Sequence, residues 1–99
     1  MNVEKMMRDL QRMQSKLQDE IETLEVEATS GGGAVTVRMN GKKNVLGLTL
    51  SADAITPDDP VMLQDLIVAA INQAGRKVDA EIERKTQGLA GGLKIPGRS

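Results

Sequence analysis

The 99-residue sequence contains no histidine, cysteine, phenylalanine, tyrosine or tryptophan. Without Cys and His the usual zinc and thiolate ligands are missing, and without Tyr as well, most nucleophile and general-base arrangements are out of reach. Asp, Glu, Lys and Ser remain but stand in no catalytic spacing, which argues against an enzyme; no cofactor, metal or small-molecule substrate is expected. Ser30-Gly31-Gly32-Gly33 lacks the Lys-Ser/Thr pair of a phosphate loop and joins two strands rather than a strand and a helix. Asp53, Asp58 and Asp59 do not follow the EF-hand spacing and read as helix-dipole complements. The missing aromatic rings also exclude base-stacking platforms for single-stranded nucleic acid. Any nucleic-acid binding would be backbone contact to duplex, with little base discrimination and strong salt dependence. No apolar run approaches membrane-spanning length and no signal-peptide core is present, so a soluble cytoplasmic protein without membrane contact is expected.

A core built only from Leu, Ile, Val, Met and Ala must be small, in a chain whose length already makes a single core marginal. No disulfide is available to staple it, so oligomerisation is the expected remedy. Thirteen Lys and Arg against 14 Asp and Glu give a net charge of −1. A uniformly basic protein is thereby excluded; a local basic strip is not.

The stretch from Leu24 to Leu50 organises the chain. Leu24, Val26 and Ala28 alternate with Glu25, Glu27 and Thr29, the period of a strand buried on one face. Gly31 to Gly33 supply a reversal where positive φ is tolerated. Val35, Val37 and Met39 form a second alternating run, Asn40-Gly41 gives a hairpin signal, and Leu46, Leu48 and Leu50 a third run. Such a three-stranded antiparallel meander has one apolar face that the flanking segments must cover.

From Asn2 to Glu22 the pattern is helical. Val3, Met6, Leu10, Met13, Leu17 and Leu24 recur at alternating steps of three and four, Glu20 interrupts the series, and Met7 and Ile21 widen it. A spacing near 3.5 also suits a helix that pairs with another along its length. At 1.5 Å per residue the helix is about 30 Å long, more than one small sheet can cover. Lys5, Arg8, Arg12 and Lys16 fall within about 80° of each other, opposite the apolar stripe. Such a row suits an ordinary solvated face, but equally a surface that tracks phosphates. Asp19, Glu20, Glu22, Glu25 and Glu27 follow, so the helix is basic at its start and acidic near the sheet.

Thr56-Pro57-Asp58-Asp59 reads as the opening of a second helix, with Thr56 as N-cap and Pro57 in the first position, running to about Gln87. Leu63, Leu66, Ile67, Ala70, Ile71, Ala74, Val78 and Ile82 form its apolar face, and Gly75 beside it allows close approach of another backbone. Arg76, Lys77, Arg84 and Lys85 are interleaved with Asp79, Glu81 and Glu83, a pattern of self-paired charges. The reading is therefore one αβββα domain over residues 1–87 and a flexible Gly-rich tail over 88–99.

This order of elements resembles the YbaB/EbfC family of bacterial nucleoid-associated proteins. The likeness is carried by Leu10-Gln11-Arg12-Met13-Gln14 and Leu17-Gln18-Asp19-Glu20-Ile21 in the first helix, and by Leu24-Glu25-Val26, Gly31 to Gly33 and Val35 to Gly41 in the sheet. Met62 to Ala74 in the second helix and Gly91 to Gly97 in the tail extend it over nearly the whole chain. The resemblance implies an α+β homodimer whose sheets join centrally and whose long helices project like tweezer arms. It also implies binding of double-stranded DNA with low sequence preference, in the cytoplasm at the nucleoid, where the chromosome is organised or gene expression modulated. On that footing Lys5, Arg8, Arg12, Lys16, Arg84 and Lys85 are the candidate DNA contacts. Leu24, Val26, Val35, Val37, Leu46 and Leu48 are the candidate dimer interface, with Leu46-Gly47 adding apolar surface where family members often carry polar or basic residues. The rival reading is a dimeric interaction scaffold that grips partner helices with its Met-rich arms.

Overall fold

The computed structural model describes residues 2–55 and 58–91. Helix α1 spans Val3–Glu22, strands β1, β2 and β3 span Glu25–Ser30, Val35–Asn40 and Val45–Leu50, and helix α2 spans Pro60–Gly91. The sheet is an antiparallel meander of order β1-β2-β3, the α+β arrangement expected. Ala28 pairs with Val37 and Val26 with Met39 across β1 and β2. Val35 pairs with Leu50 and Val37 with Leu48 across β2 and β3. One side of the sheet is thus apolar, while Glu25, Glu27, Thr29, Thr36 and Arg38 line the other. Between Arg38 and Met39 the register slips and Leu46 becomes the extra residue of a β-bulge.

α2 alone roofs the apolar side. It lies across β1 and β2, and Ala70, Ala74 and Val78 are buried with Ala28, Val35, Val37 and Met39 in one cluster. Leu63, Leu66, Ile67, Ile71 and Ile82 pack around that cluster, so all eight residues of the expected face take part. The alanines in the middle of the face bring the helix axis close to the sheet, where large side chains would hold it off. A Cβ at Gly75 would meet nothing within 4 Å, so the close approach expected beside it is not made within the protomer. α1 adds no roof: it has no buried residue, and among the described residues its Glu20 approaches Lys85 of α2. The expectation that the segments on both sides of the meander cover it is corrected accordingly. The molecule is elongated, 70 × 28 × 15 Å.

The turns follow from particular residues. Gly31, Gly32 and Gly33 all have positive φ, at 60°, 68° and 95°, which explains why three glycines stand together there. Ser30 Oγ donates to the Leu66 carbonyl at 2.6 Å and ties this turn to α2. In the second hairpin Asn40 does the work: its Oδ1 accepts from the Lys42 and Asn44 amides at 3.0 and 2.9 Å, and Lys43 takes the left-handed conformation with φ 64°. Gly41 is needed for space rather than for φ, because a Cβ there would overlap the Ile21 carbonyl oxygen at the end of α1. Its amide donates to Leu24 O at 3.0 Å, which fixes the exit of α1 against the hairpin.

α2 opens three residues later than the Thr56-Pro57 signal suggests. Asp59 Oδ1 accepts from the Met62 amide at 3.0 Å, and Pro60 occupies the first helical position. The cap-then-proline rule is the same, applied to the second of two adjacent pairs. Thr56 and Pro57 lie outside the described residues, as does the expected tail from residue 92 onward. The helix itself continues past Gln87 to Gly91. Among the described residues no helix is long and apolar enough to cross a membrane.

Candidate nucleic-acid interface

α1 begins at Asn2, whose Oδ1 accepts from the Lys5 amide at 3.2 Å. It ends at Thr23, whose hydroxyl donates to the Asp19 carbonyl at 2.8 Å. Between those caps the helix stands clear of the sheet, so both of its faces meet solvent. Lys5, Arg8, Arg12 and Lys16 are all exposed on one face. Among the described residues none of the four makes a salt bridge; the four pairs formed involve Arg38, Lys43, Arg84 and Lys85. At 1.5 Å per residue the row extends over about 16 Å, close to half a turn of B-form duplex.

Arg8, Arg12 and Lys16 line one shallow depression together with Gln11, Ser15 and Asp19. Gln11 and Ser15 can donate hydrogen bonds to phosphate oxygens beside the cations, and the charge pattern alone gave no reason to single them out. Their signal was the helical spacing, which sets residues three and four apart side by side. Asp19 closes the depression and marks where the helix turns acidic toward the sheet.

The two candidates on α2 are engaged differently. Arg84 Nη2 donates to Glu81 Oε2 at 2.8 Å. That hydrogen bond holds the Glu81 carboxyl below its usual range, helped by the charges of Arg84 and Lys85, and it raises the Arg84 guanidinium in turn. Lys85 lies 3.9 Å from Glu20 and joins α2 to α1. Lys77 donates to the Glu27 carbonyl at 2.8 Å on the outer edge of β1, and Lys43 is 2.8 Å from Asp79. Both α2 candidates thus face a carboxylate, whereas the four cations of α1 make no such pair among the described residues.

The six apolar candidates separate as well. Val35 and Val37 are completely buried beneath α2. They face the protomer's own helix. Leu24 and Val26 pack around the same cluster. Leu46 and Leu48 are open: β3 falls outside the cover of α2, and with Val45 they keep 43–46% of their surface exposed.

Residues 1–93 match the family model described as the YbaB/EbfC DNA-binding family. A nucleoid-associated protein of Clostridium novyi is 47% identical over 100 residues, covering 98% of this chain and 88% of the relative. A nucleoid-associated protein of Chloroflexus aurantiacus is also 47% identical, over 89 residues, covering 90% of this chain and 89% of the relative. Among solved structures, that of an uncharacterized protein from Helicobacter pylori shares the fold with a TM-score of 0.70. Its sequence is 21% identical, and the match covers 90% of this chain and 97% of that one.

Proposed function

Because the chain belongs to the YbaB/EbfC DNA-binding family, we propose that it binds duplex DNA as a homodimer, laying the basic row of α1 along the phosphate backbone. One observation carries this reading: four cations that make no salt bridge among the described residues share an exposed face of a helix that projects from the body. A protein with a net charge of −1 cannot attract DNA through its average field, so a segregated row is the form its affinity takes. Arg84 and Lys85 contribute less, since each is held by a carboxylate. The contacts are to phosphates, which gives low sequence preference. The protein resides at the nucleoid and takes part in organising the chromosome.

Dimerisation is supported by β3. It is an edge strand with unpaired backbone groups, and its apolar face, Val45, Leu46 and Leu48, lies exposed beside α2. Edges of this kind are normally blunted or covered. A second copy adding its own β3 pairs the open backbone groups, sets the exposed apolar side chains of the two β3 strands side by side and doubles the number of basic arms, and two weak sites on one body bind more tightly through effective concentration.

The test is fluorescence anisotropy with two duplexes of unrelated sequence, titrated with salt, together with the mass in solution with and without duplex. The expected result is a two-chain protein that binds both duplexes alike and loses affinity steeply as salt rises. A stable single chain, or binding that ignores salt, overturns the reading.

A further inference from the structure

α1 carries a second apolar surface, exposed from Val3 to Met13 and half-buried at Leu17. Val3, Met6, Leu10, Met13 and Leu17 occupy the a and d positions of successive heptads, and Glu20 at the next d ends the seam. Val3 is 62% exposed, Met6 52% and Leu10 50%. Lys5, Arg8 and Arg12 lie on the opposite side of the helix, with Lys16 on the flank between, so a duplex engaged by those three leaves this seam facing away from the DNA.

We propose that the seam pairs with α1 of a second copy of this chain, antiparallel and in one register. Asp9 and Lys16 both take the g position, on the same flank of the seam. Turning one helix end for end sets g against g and e against e. With Leu10 opposite the partner's Met13 and Met6 opposite the partner's Leu17, two-fold symmetry repeats each layer and sets Asp9 against the partner's Lys16 twice. Sliding by one heptad in one direction sets Asp9 against the partner's Asp9; sliding in the other sets Lys16 against the partner's Lys16. A parallel pair sets g against e, where Met7, Gln14 and Ile21 offer no charge in answer. The charge pattern thus selects orientation and register together. Val3, Met6, Leu10 and Met13 are exposed along the seam, and the Glu20–Lys85 pair lies at its far end.

This contact is self-complementary and distinct from the β3 edge. Two different two-fold contacts on one chain build a row of dimers rather than a closed pair, and arms joined back to back present basic faces to two separate duplexes. The seam is short, so the contact forms where local concentration is high, as on DNA.

Sedimentation equilibrium at low salt without DNA tests this, with protein raised to about 1 mM to populate so small an interface. The wild type is expected to exceed two chains. Asp9→Lys, which sets four cations against one another, is expected to return the mass to two chains. Asp9→Lys combined with Lys16→Asp exchanges the charges and is expected to restore the larger species. Leu48→Glu removes the β3 contact, leaving two chains held by α1, and its combination with Asp9→Lys leaves one. The pairing is overturned if the wild type and Asp9→Lys have the same mass, or if the charge exchange restores nothing; a wild type of two chains that Asp9→Lys reduces to one overturns the β3 dimer instead. The β3 dimer stands or falls separately, on whether Leu48→Glu halves the mass of the Asp9→Lys protein.

Discussion

Replacing Arg8 and Arg12 by glutamine removes half of the positive charge from the basic face of α1 and leaves the helix in place. Both side chains are exposed and neither makes a salt bridge among the described residues, so folding loses little, and glutamine is a good helix former. The effect on DNA binding can be worked from counterion release. Each phosphate neutralised on B-form duplex adds about −0.9 to the slope of log affinity against log salt. Four cations on each of two arms give a slope of about −7, and the variant, with half of them, about −3.6. Between 50 and 200 mM salt the wild type should therefore lose about 10⁴ in affinity, the variant only about 10². Anisotropy titrations at four or five salt concentrations measure both slopes, and a duplex of unrelated sequence should return the same pair of values. An unchanged slope in the variant refutes the reasoning, whatever happens to affinity at any one salt concentration. It would mean that the phosphates are met somewhere other than this face.

Three further outcomes follow from the geometry. Gly41→Ala should destabilise by about 1–3 kcal/mol, the usual penalty for a methyl forced into filled space, because its Cβ overlaps the Ile21 carbonyl oxygen; an unchanged urea midpoint contradicts the packing described. Asp59→Ala should cost about 1 kcal/mol and Asp59→Asn much less, as expected of the residue that caps α2 through the Met62 amide. Arg84→Met should raise the Glu81 pKa in an NMR titration, since the Arg84 hydrogen bond is the main cause of its depression. A carboxyl lowered in the folded state stabilises above its unfolded pKa and loses that contribution as pH falls through the lowered value. The pair should therefore matter at neutral pH and not in acid, and an unmoved Glu81 titration rules this out.

Much of the architecture was legible from residue spacing. The period-two runs marked the three strands and the eight-residue stripe marked the buried face of α2, because one-sided burial imposes the period of the backbone on the apolar residues. The start of α2 was less legible: Thr56-Pro57 and Asp59-Pro60 carry the same cap-and-proline signature, and only the placement of the helix over the sheet chooses between them. Gly41 read as a hairpin signal, whereas its constraint comes from α1, far away in sequence. Val35 and Val37 were visible as apolar, but periodicity reports that a face is covered and not by what. For the same reason the basic row was readable on α1, while the engagement of Lys85 by Glu20 was not.

By itself, then, the sequence determined the elements, their apolar and charged faces, the family, and the lack of rings for base stacking. These are properties of local spacing and of composition, carried by each segment alone. Tertiary structure decided that α2 covers β1 and β2 without β3, that most of α1 stands exposed, and that Arg84 and Lys85 meet carboxylates while the cations of α1, among the described residues, do not. Those outcomes depend on which faces meet across the chain, and contact between distant segments leaves no period in the sequence to read.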